Sequence, residues 1–196
     1  MRKLVSDHVY KKEHHLVLTR KLDEPFPYRR LSIKGLVVSV CDTPEDFNVL
    51  CVKYPDRVRN FQEHRENGQH AVIGRIDGEL VAYVWIATDD FYDALYLRTF
   101  EVEPRQIYQF AGYVDPEFRG KPVGLLVMDW VNTAWHGRGY EKTLAAVSAD
   151  NTASVKFHAK LRYVPNGKAF DFYKFLWIKW SRTASPRADA LAAYDR

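Results

Sequence analysis

The run Tyr108-Gln-Phe-Ala-Gly-Tyr-Val-Asp-Pro-Glu-Phe-Arg-Gly-Lys-Pro-Val-Gly124 decides how the rest of the chain is read. Tyr108 to Val114 is apolar, rich in aromatics and of strand length. Asp115-Pro116 stops it, because proline cannot donate to a sheet ladder. Arg119, Gly120 and Gly124 come next, and behind them Val123, Leu126, Val127, Trp130, Val131 and Ala134 recur at helical spacing as one apolar face. The reading is strand, glycine-bearing loop, helix. Amides at such a helix start have no partners, and the helix dipole favours an anion there. Gly120 and Gly124 let the backbone approach a bound group, and Arg119 and Lys121 add positive charge. A phosphate or pyrophosphate is held in this way. A glycine loop before a helix can also be a plain tight turn, and neither G-x-G-x-x-G nor the P-loop pattern is present.

The spacing of two longer motifs decides between these readings. Val114-Asp-Pro-Glu-Phe-Arg119-Gly-Lys-Pro-Val-Gly124 resembles the acyl-CoA-binding motif of the GNAT superfamily of N-acetyltransferases, V-x-P-x-x-[RQ]-x-x-G-x-[GA]. Asn151-Thr-Ala-Ser154-Val-Lys-Phe-His158-Ala-Lys160-Leu-Arg-Tyr163 resembles that family's second motif, N-x-x-S-x-x-x-Y-x-K-L-G-F. The order and separation are those of the family, and the resemblance covers roughly residues 35 to 180.

The resemblance implies an α/β fold of GNAT type: a mixed, mostly antiparallel central sheet flanked by helices, with central strands that splay to form the acyl-CoA cleft. It divides the chain into an N-terminal arm (1–34), an acyltransferase domain (35–180) and a C-terminal tail (181–196). It implies acetyl-CoA, or another acyl-CoA, as co-substrate, with no metal, and a small-molecule amine as acceptor. Pantetheine would pair with backbone at Tyr113 and Val114. The pyrophosphate would sit on amides from Arg119 to Leu125, those of Arg119, Gly120, Lys121, Val123, Gly124 and Leu125. Asn151 and Ser154 would hold the cofactor arm. Polarising the thioester carbonyl falls to a strand amide such as that of Val114.

Four positions depart from the family pattern. Pro122 stands in place of a glycine; it suits a helix start but supplies no N–H. His158 stands where many members have the tyrosine that protonates the leaving thiolate, and imidazole titrates near the working pH. The alternative is that His158 packs or faces water. Arg162 replaces the glycine after Lys-Leu. Tyr108 occupies the position of the glutamate base of histone-type members. Through water it is a candidate base, although an unperturbed phenol keeps its proton at pH 7. His158 and Tyr108 are therefore the catalytic candidates, and the amine proton can otherwise leave to bulk water.

Length suits one domain. A net charge of +4 fits an anionic cofactor and is too small to argue for nucleic acid. Cys41 and Cys51 do not make a disulfide framework and read as buried small hydrophobes. The start, Met-Arg-Lys-Leu-Val-Ser-Asp-His, has no apolar core, so no signal peptide is expected. No apolar run approaches the roughly 18 residues of a membrane span. A cytoplasmic protein with reduced thiols is the expectation.

Along the chain, Leu16 to Thr19 reads as a short strand. His14-His15 lacks a second ligand cluster and reads as a solvated pair. Leu36 to Cys41 is a strand. Thr43-Pro-Glu-Asp46 starts a helix with a cap and proline at the first helical position; Phe47, Leu50, Cys51 and Tyr54 share a face, and Pro55 ends or breaks it. Val58, Phe61 and His64 are inner positions of a second helix. His70–Ile76, the Asp77-Gly78 turn and Glu79–Ala87 form a hairpin. Thr88 to Arg98 reads as an acidic, aromatic loop that would suit a cationic amine or merely connect. Lys142 to Ala149 is a strand, Asn151 caps a helix, and Ala169 to Trp180 closes the domain as a hairpin. Arg182 to Arg196 is a charged, Ala-rich tail.

The leading function is acetyl transfer to a primary amine. The alternatives are acyl transfer from a carrier protein or of a longer chain, kept open by Pro122 and by Trp85, Phe91 and Tyr92, and a silent CoA-binding relative. An aromatic-rich surface could mark a dimer face, which allows a homodimer.

Overall fold

The structure is a computed structural model and describes residues 10–28, 30–192 and 194. The start of the arm and the leader reading at Met1 to His8 lie outside the described residues, as do Arg29, Ala193, Asp195 and Arg196. In chain order the elements are β1 (Tyr10–Lys21), β2 (Leu36–Val40), α1 (Pro44–Lys53), α2 (Val58–Glu66), β3 (His70–Ile76), β4 (Glu79–Ala87), β5 (Phe91–Asp93), β6 (Arg98–Phe100) and β7 (Gln106–Val114). After these come α3 (Val123–Gly137), β8 (Lys142–Ser148), α4 (Thr152–Lys160), β9 (Val164–Phe175), β10 (Ile178–Ala184) and α5 (Ala188–Leu191).

The described residues form two compact units. One comprises residues 21–89 and 102–143; the other comprises those up to 20, 90–101 and those from 144 on. In the first unit the strands run β7-β4-β3-β2, each paired antiparallel with the next. The β3–β4 turn is built as its sequence demands. Asp77 (φ 50°) and Gly78 (φ 87°) both take left-handed backbone, the requirement of a tight type I′ hairpin.

Helices α1 and α2 cover one face of this sheet. Thr43 accepts the Asp46 N–H at 3.1 Å and caps α1, with Pro44 in its first turn. Pro55 breaks the pattern as expected, and a 3₁₀ turn at Pro55–Arg57 separates the two helices. Leu50, Tyr54 and Phe61 are buried beneath them. Cys41 and Cys51, expected to be buried, are each half-buried free thiols; on α1 it is Leu50 rather than Cys51 that turns fully inward.

Helix α3 covers the other face, where Val127 approaches Gly74 so closely that an added Cβ would sit 3.0 Å from it. Its inward stripe is Val123, Val127, Met128, Val131, Asn132 and Trp135. The stripe expected from sequence used Leu126, Trp130 and Ala134 instead, and these are half-buried. The row 123-127-131 is common to both readings. Apolar residues flank it on each side, so periodicity could not choose the deeper flank. Asn132 argued against the true flank, yet it lies buried and accepts a hydrogen bond from Gln109 at 3.1 Å.

In the second unit the order is β10-β9-β1-β8, and β1–β9 and β9–β10 are antiparallel. The four-residue strand expected at Leu16 to Thr19 is the centre of a twelve-residue one. His14 and His15 are therefore not a solvated pair. They are 3% and 1% exposed, and His14 Nδ1 lies 2.8 Å from an Asp171 oxygen across the β1–β9 register. His15 stacks on Phe170 at 4.8 Å. Burial pushes the Asp171 carboxyl up, but hydrogen bonds from His14, Lys12 and Tyr173 outweigh it and hold the group down to about 2. The stretch from Thr88 to Arg98 is also more ordered than a loop. It contains β5 and the start of β6, paired antiparallel, with buried Asp93 accepting the Leu95 N–H at 2.8 Å across their turn. Strand β10 extends through Ala184, into the segment read as tail, and α5 lies beyond it.

Candidate active site

The site residues on β7 and the loop after it all lie in the first unit. Across the β4–β7 pairing, Tyr83 faces Tyr113 and Trp85 faces Phe110. Val84 alone separates the β4 residues, whereas Ala111 and Gly112 separate those on β7, so β7 carries an extra residue. This is a β-bulge, and Ala111 takes a left-handed φ of 49° to make it. A non-glycine residue there is strained and persists only where its surroundings impose it. The bulge has two consequences. It leaves backbone at Ala111 and Gly112, both exposed, outside the regular ladder. It also restores parity, so that Phe110 and Tyr113, three residues apart, face the same helices: His64 meets Phe110 at 4.9 Å and Tyr54 meets Tyr113 at 5.4 Å.

Beyond the bulge the chain is pinned. The Asp115 N–H donates to the Val81 carbonyl at 2.9 Å. The Asp115 carboxylate, 6% exposed, accepts from the Tyr54 hydroxyl at 2.9 Å and lies 3.3 Å from Lys53 Nζ. Burial first, and Asp115 second, push the Tyr54 phenol up, so it stays protonated and donates. A 3₁₀ turn at Pro116–Phe118 leads to Arg119, which returns a hydrogen bond from Nε to the Val114 carbonyl at 3.2 Å.

Gly120 then takes φ 82°, a conformation that only glycine adopts without strain, and Pro122 sits at the N-cap of α3. The Arg119 and Lys121 amides are occupied within the turn by Pro116 and Phe118 carbonyls. These two residues can therefore serve an anion through their side chains rather than, as expected, through their amides. The Val123, Gly124 and Leu125 amides lie in the first turn of α3, where no carbonyl four residues back can close them. The fifteen-residue helix places its positive end there. The Arg119 and Lys121 side chains are exposed, seated over Tyr113 (5.6 Å) and Phe118 (4.6 Å). Loop, charge and open amides together make an arrangement that can hold an anion; among the described residues no group of three or more His, Cys, Asp or Glu is placed to hold a metal ion.

Tyr108, the candidate base on β7, is 1% exposed and stacks on Phe110 at 5.9 Å. The remaining site residues lie in the second unit. Asn151 caps α4 through its side-chain oxygen, which accepts the Ser154 N–H at 3.0 Å. Its amide hydrogens are not used in that cap. His158 Nδ1 lies 2.8 Å from the Ser154 carbonyl oxygen. A carbonyl only accepts, so Nδ1 carries the hydrogen and Nε2 the lone pair. Burial holds the imidazole down to about 4. At neutral pH the ring is thus uncharged and has no proton on Nε2, whereas the acid role expected for His158 needs the imidazolium.

This burial makes stability depend on pH. The unfolded imidazole takes up a proton near 6.5, and the folded one only near 4. The contribution of His158 is full above pH 6.5 and is lost as pH falls through 4, about 3 kcal/mol in all. Urea unfolding at pH 7 and pH 4 should show His158→Gln losing less stability than the intact protein; an equal loss in both would refute the assignment.

Residues 39–163, more than half of the chain, match the family model described as Acetyltransferase (GNAT) family. The chain belongs to this family. Several solved structures are similar in fold. A functionally unknown conserved protein from Staphylococcus epidermidis superposes with TM-score 0.59 at 11% identity, over 89% of this chain and 64% of that one. The GCN5-related glucosamine N-acetyltransferase region of a fungal multi-domain GH3 β-N-acetylglucosaminidase superposes with TM-score 0.60 at 17% identity, over 92% of this chain and 22% of that one. A GCN5-related N-acetyltransferase from Kribbella flavida gives 0.56 at 15% identity, over 87% and 62%. The chain thus spans less than two thirds of each of these proteins, and at such identities the likeness concerns the fold. Comparison with curated sequences finds no match. The GNAT assignment makes the fold expectation correct: mixed α/β, with antiparallel strand pairs flanked by helices. Among the described residues no helix is long and apolar enough to cross a membrane.

The residues that sequence reasoning missed are Ala111, Arg57, Tyr54, Lys53 and Asp115. A small pair, Ala111-Gly112, inside an aromatic strand was the available signal for the bulge. Lys53, Tyr54 and Arg57 lie within five residues, at the end of α1 and in the turn after it, and only folding brings Asp115 from beyond β7 to Lys53 and Tyr54, so the group left no local signature.

Proposed function

We propose that this GNAT protein is an acyl-CoA-dependent N-acyltransferase that moves an acetyl group from acetyl-CoA to a primary amine of a small molecule by direct attack in a ternary complex. The observation that carries the reading is the continuous path on β7 and α3: a strained bulge at Ala111, the pinned turn at Asp115, and the cradle of Arg119, Gly120, Lys121 and the first-turn amides of α3.

The pyrophosphate would accept from the Val123, Gly124 and Leu125 amides and from the Arg119 and Lys121 side chains. Pantetheine would run along the backbone at Tyr113 and Val114. A backbone N–H released by the bulge would polarise the thioester carbonyl as it becomes an oxyanion. The neutral amine attacks that carbonyl, the C–S bond breaks, and coenzyme A leaves as the thiolate. The proton lost by the amine passes to water. Tyr108 remains a candidate to order that water, and Asn151 and Ser154 remain candidates for the cofactor arm. His158 at neutral pH offers a lone pair rather than a proton, so in this scheme solvent protonates the thiolate.

The test is release of free thiol from acetyl-CoA across a panel of primary amines. Amine-dependent release at rates well above hydrolysis is expected. Binding of acetyl-CoA without turnover of any amine would leave only a CoA-binding relative. Release from an acyl carrier protein but not from acetyl-CoA would replace the donor.

A further inference from the structure

Arg57 ends the 3₁₀ turn between α1 and α2, in the same unit as the bulge. Its guanidinium carbon lies 4.2 Å from the centre of the Tyr113 ring, 5.7 Å from that of Tyr83 and 5.9 Å from that of Tyr54. One guanidinium nitrogen donates to the Tyr83 hydroxyl. Three rings and a hydroxyl therefore hold the planar fork in one orientation.

Among the described residues Arg57 forms no ion pair, whereas half-buried Arg75 reaches Asp46 at 2.6 Å. The acid of the same cluster, Asp115, is taken by Tyr54 and Lys53. A guanidinium that is half-buried, fixed and without a counter-charge is an unfavourable arrangement for stability alone. It is a favourable one for an incoming oxyanion, because the ordering cost has been met before the ligand arrives and the remaining N–H groups match a carboxylate edge to edge.

Position says which ligand. Tyr113, against which the fork lies, is two residues beyond Ala111, so the guanidinium is held against the same stretch of β7 as the bulge proposed to polarise the thioester. The donor's pyrophosphate has cations and amides of its own, at Arg119, Lys121 and the first turn of α3, although Arg119 also lies against the Tyr113 ring, at 5.6 Å. Resting on the acyl-transfer reading above, we infer that Arg57 anchors a carboxylate on the acceptor, so that the acceptors are amino acids or other amines bearing an acidic group.

The experiment compares free amino acids with their carboxamides as acceptors, for the intact protein, Arg57→Met and Arg57→Lys, with acetyl-CoA affinity measured by calorimetry and folding by thermal melts. The intact protein should favour the free acids by about 30-fold or more in kcat/KM, the loss expected for a charged hydrogen-bonded anchor. Arg57→Met should erase that preference through KM for the acids, leaving the amides and the acetyl-CoA Kd within about 2-fold. Arg57→Lys keeps the charge without the fork and should retain part of the preference; it carries the test where the methionine variant does not fold.

Discrimination that survives in Arg57→Met or is undiminished in Arg57→Lys, or amides preferred by the intact protein, would overturn the inference. A weakened acetyl-CoA Kd in Arg57→Met would overturn it by assigning the arginine to the donor's phosphates. Acetyl-CoA binding with no acid-bearing amine acetylated would sink the acceptor class and leave the donor site standing. Failure of the intact protein to bind acetyl-CoA would instead bring down the reading on which it rests.

Discussion

Replacing Arg119 by glutamate should weaken acetyl-CoA binding by on the order of 100-fold, the loss of one charge-assisted hydrogen bond with repulsion added. The side chain is exposed and its protein contacts are slight: a hydrogen bond to the Val114 carbonyl and a seat over Tyr113. Removing it should cost little stability, so the effect on the ligand can be isolated. Calorimetry at low and moderate salt checks it, because contact with an exposed phosphate should lose part of its strength as salt rises. An affinity for acetyl-CoA that is unchanged in Arg119→Glu would place the pyrophosphate elsewhere. It would also remove the reason to read the Gly120 conformation as an adaptation to a ligand.

The second large effect is on stability. Trp135 is fully buried on α3, its ring 6.1 Å from that of His70 and beneath the Arg138 guanidinium at 4.6 Å. Trp135→Ala should cost about 3–5 kcal/mol, the transfer energy of the indole plus the cavity it leaves. Urea denaturation at pH 7 measures it. Trp130→Ala, on the half-buried flank of the same helix, is the internal comparison and should cost clearly less. Reversed costs would mean that α3 packs with the stripe expected from sequence rather than the one in the structure. The outcome bears on function, since the first-turn amides that complete the anion cradle are held in place by this helix.

Much of the fold was legible because it is local. Thr43 followed by Pro44, the Asp77-Gly78 turn, Asn151 at its cap and Pro55 between two helices are short-range signals, and each acts in the structure as its chemistry requires. The glycine-bearing loop before α3 was legible for the same reason: glycine, charge and a helix start lie within a few residues. Motif order added the family and hence the donor class.

What sequence could not supply depends on partners far apart in the chain. His14 is buried because Asp171, 157 residues away, stands opposite it on β9. The deeper flank of α3 was chosen by the sheet beneath it, which no periodicity encodes. The charge state of His158 depends on burial and on a carbonyl that already accepts its Nδ1 hydrogen. Arg57 carried no signal among 29 Lys and Arg residues. It became distinctive only when α1, β4 and β7 placed Tyr54, Tyr83 and Tyr113 around it, with no acid paired to it among the described residues. Sequence by itself thus determined most of the elements, the family and the glycine-bearing loop before α3, because turn chemistry and backbone conformation are properties of neighbouring residues. Tertiary structure alone decided which ionisable groups are buried, paired or left open, because desolvation and charge pairing depend on what folding brings close.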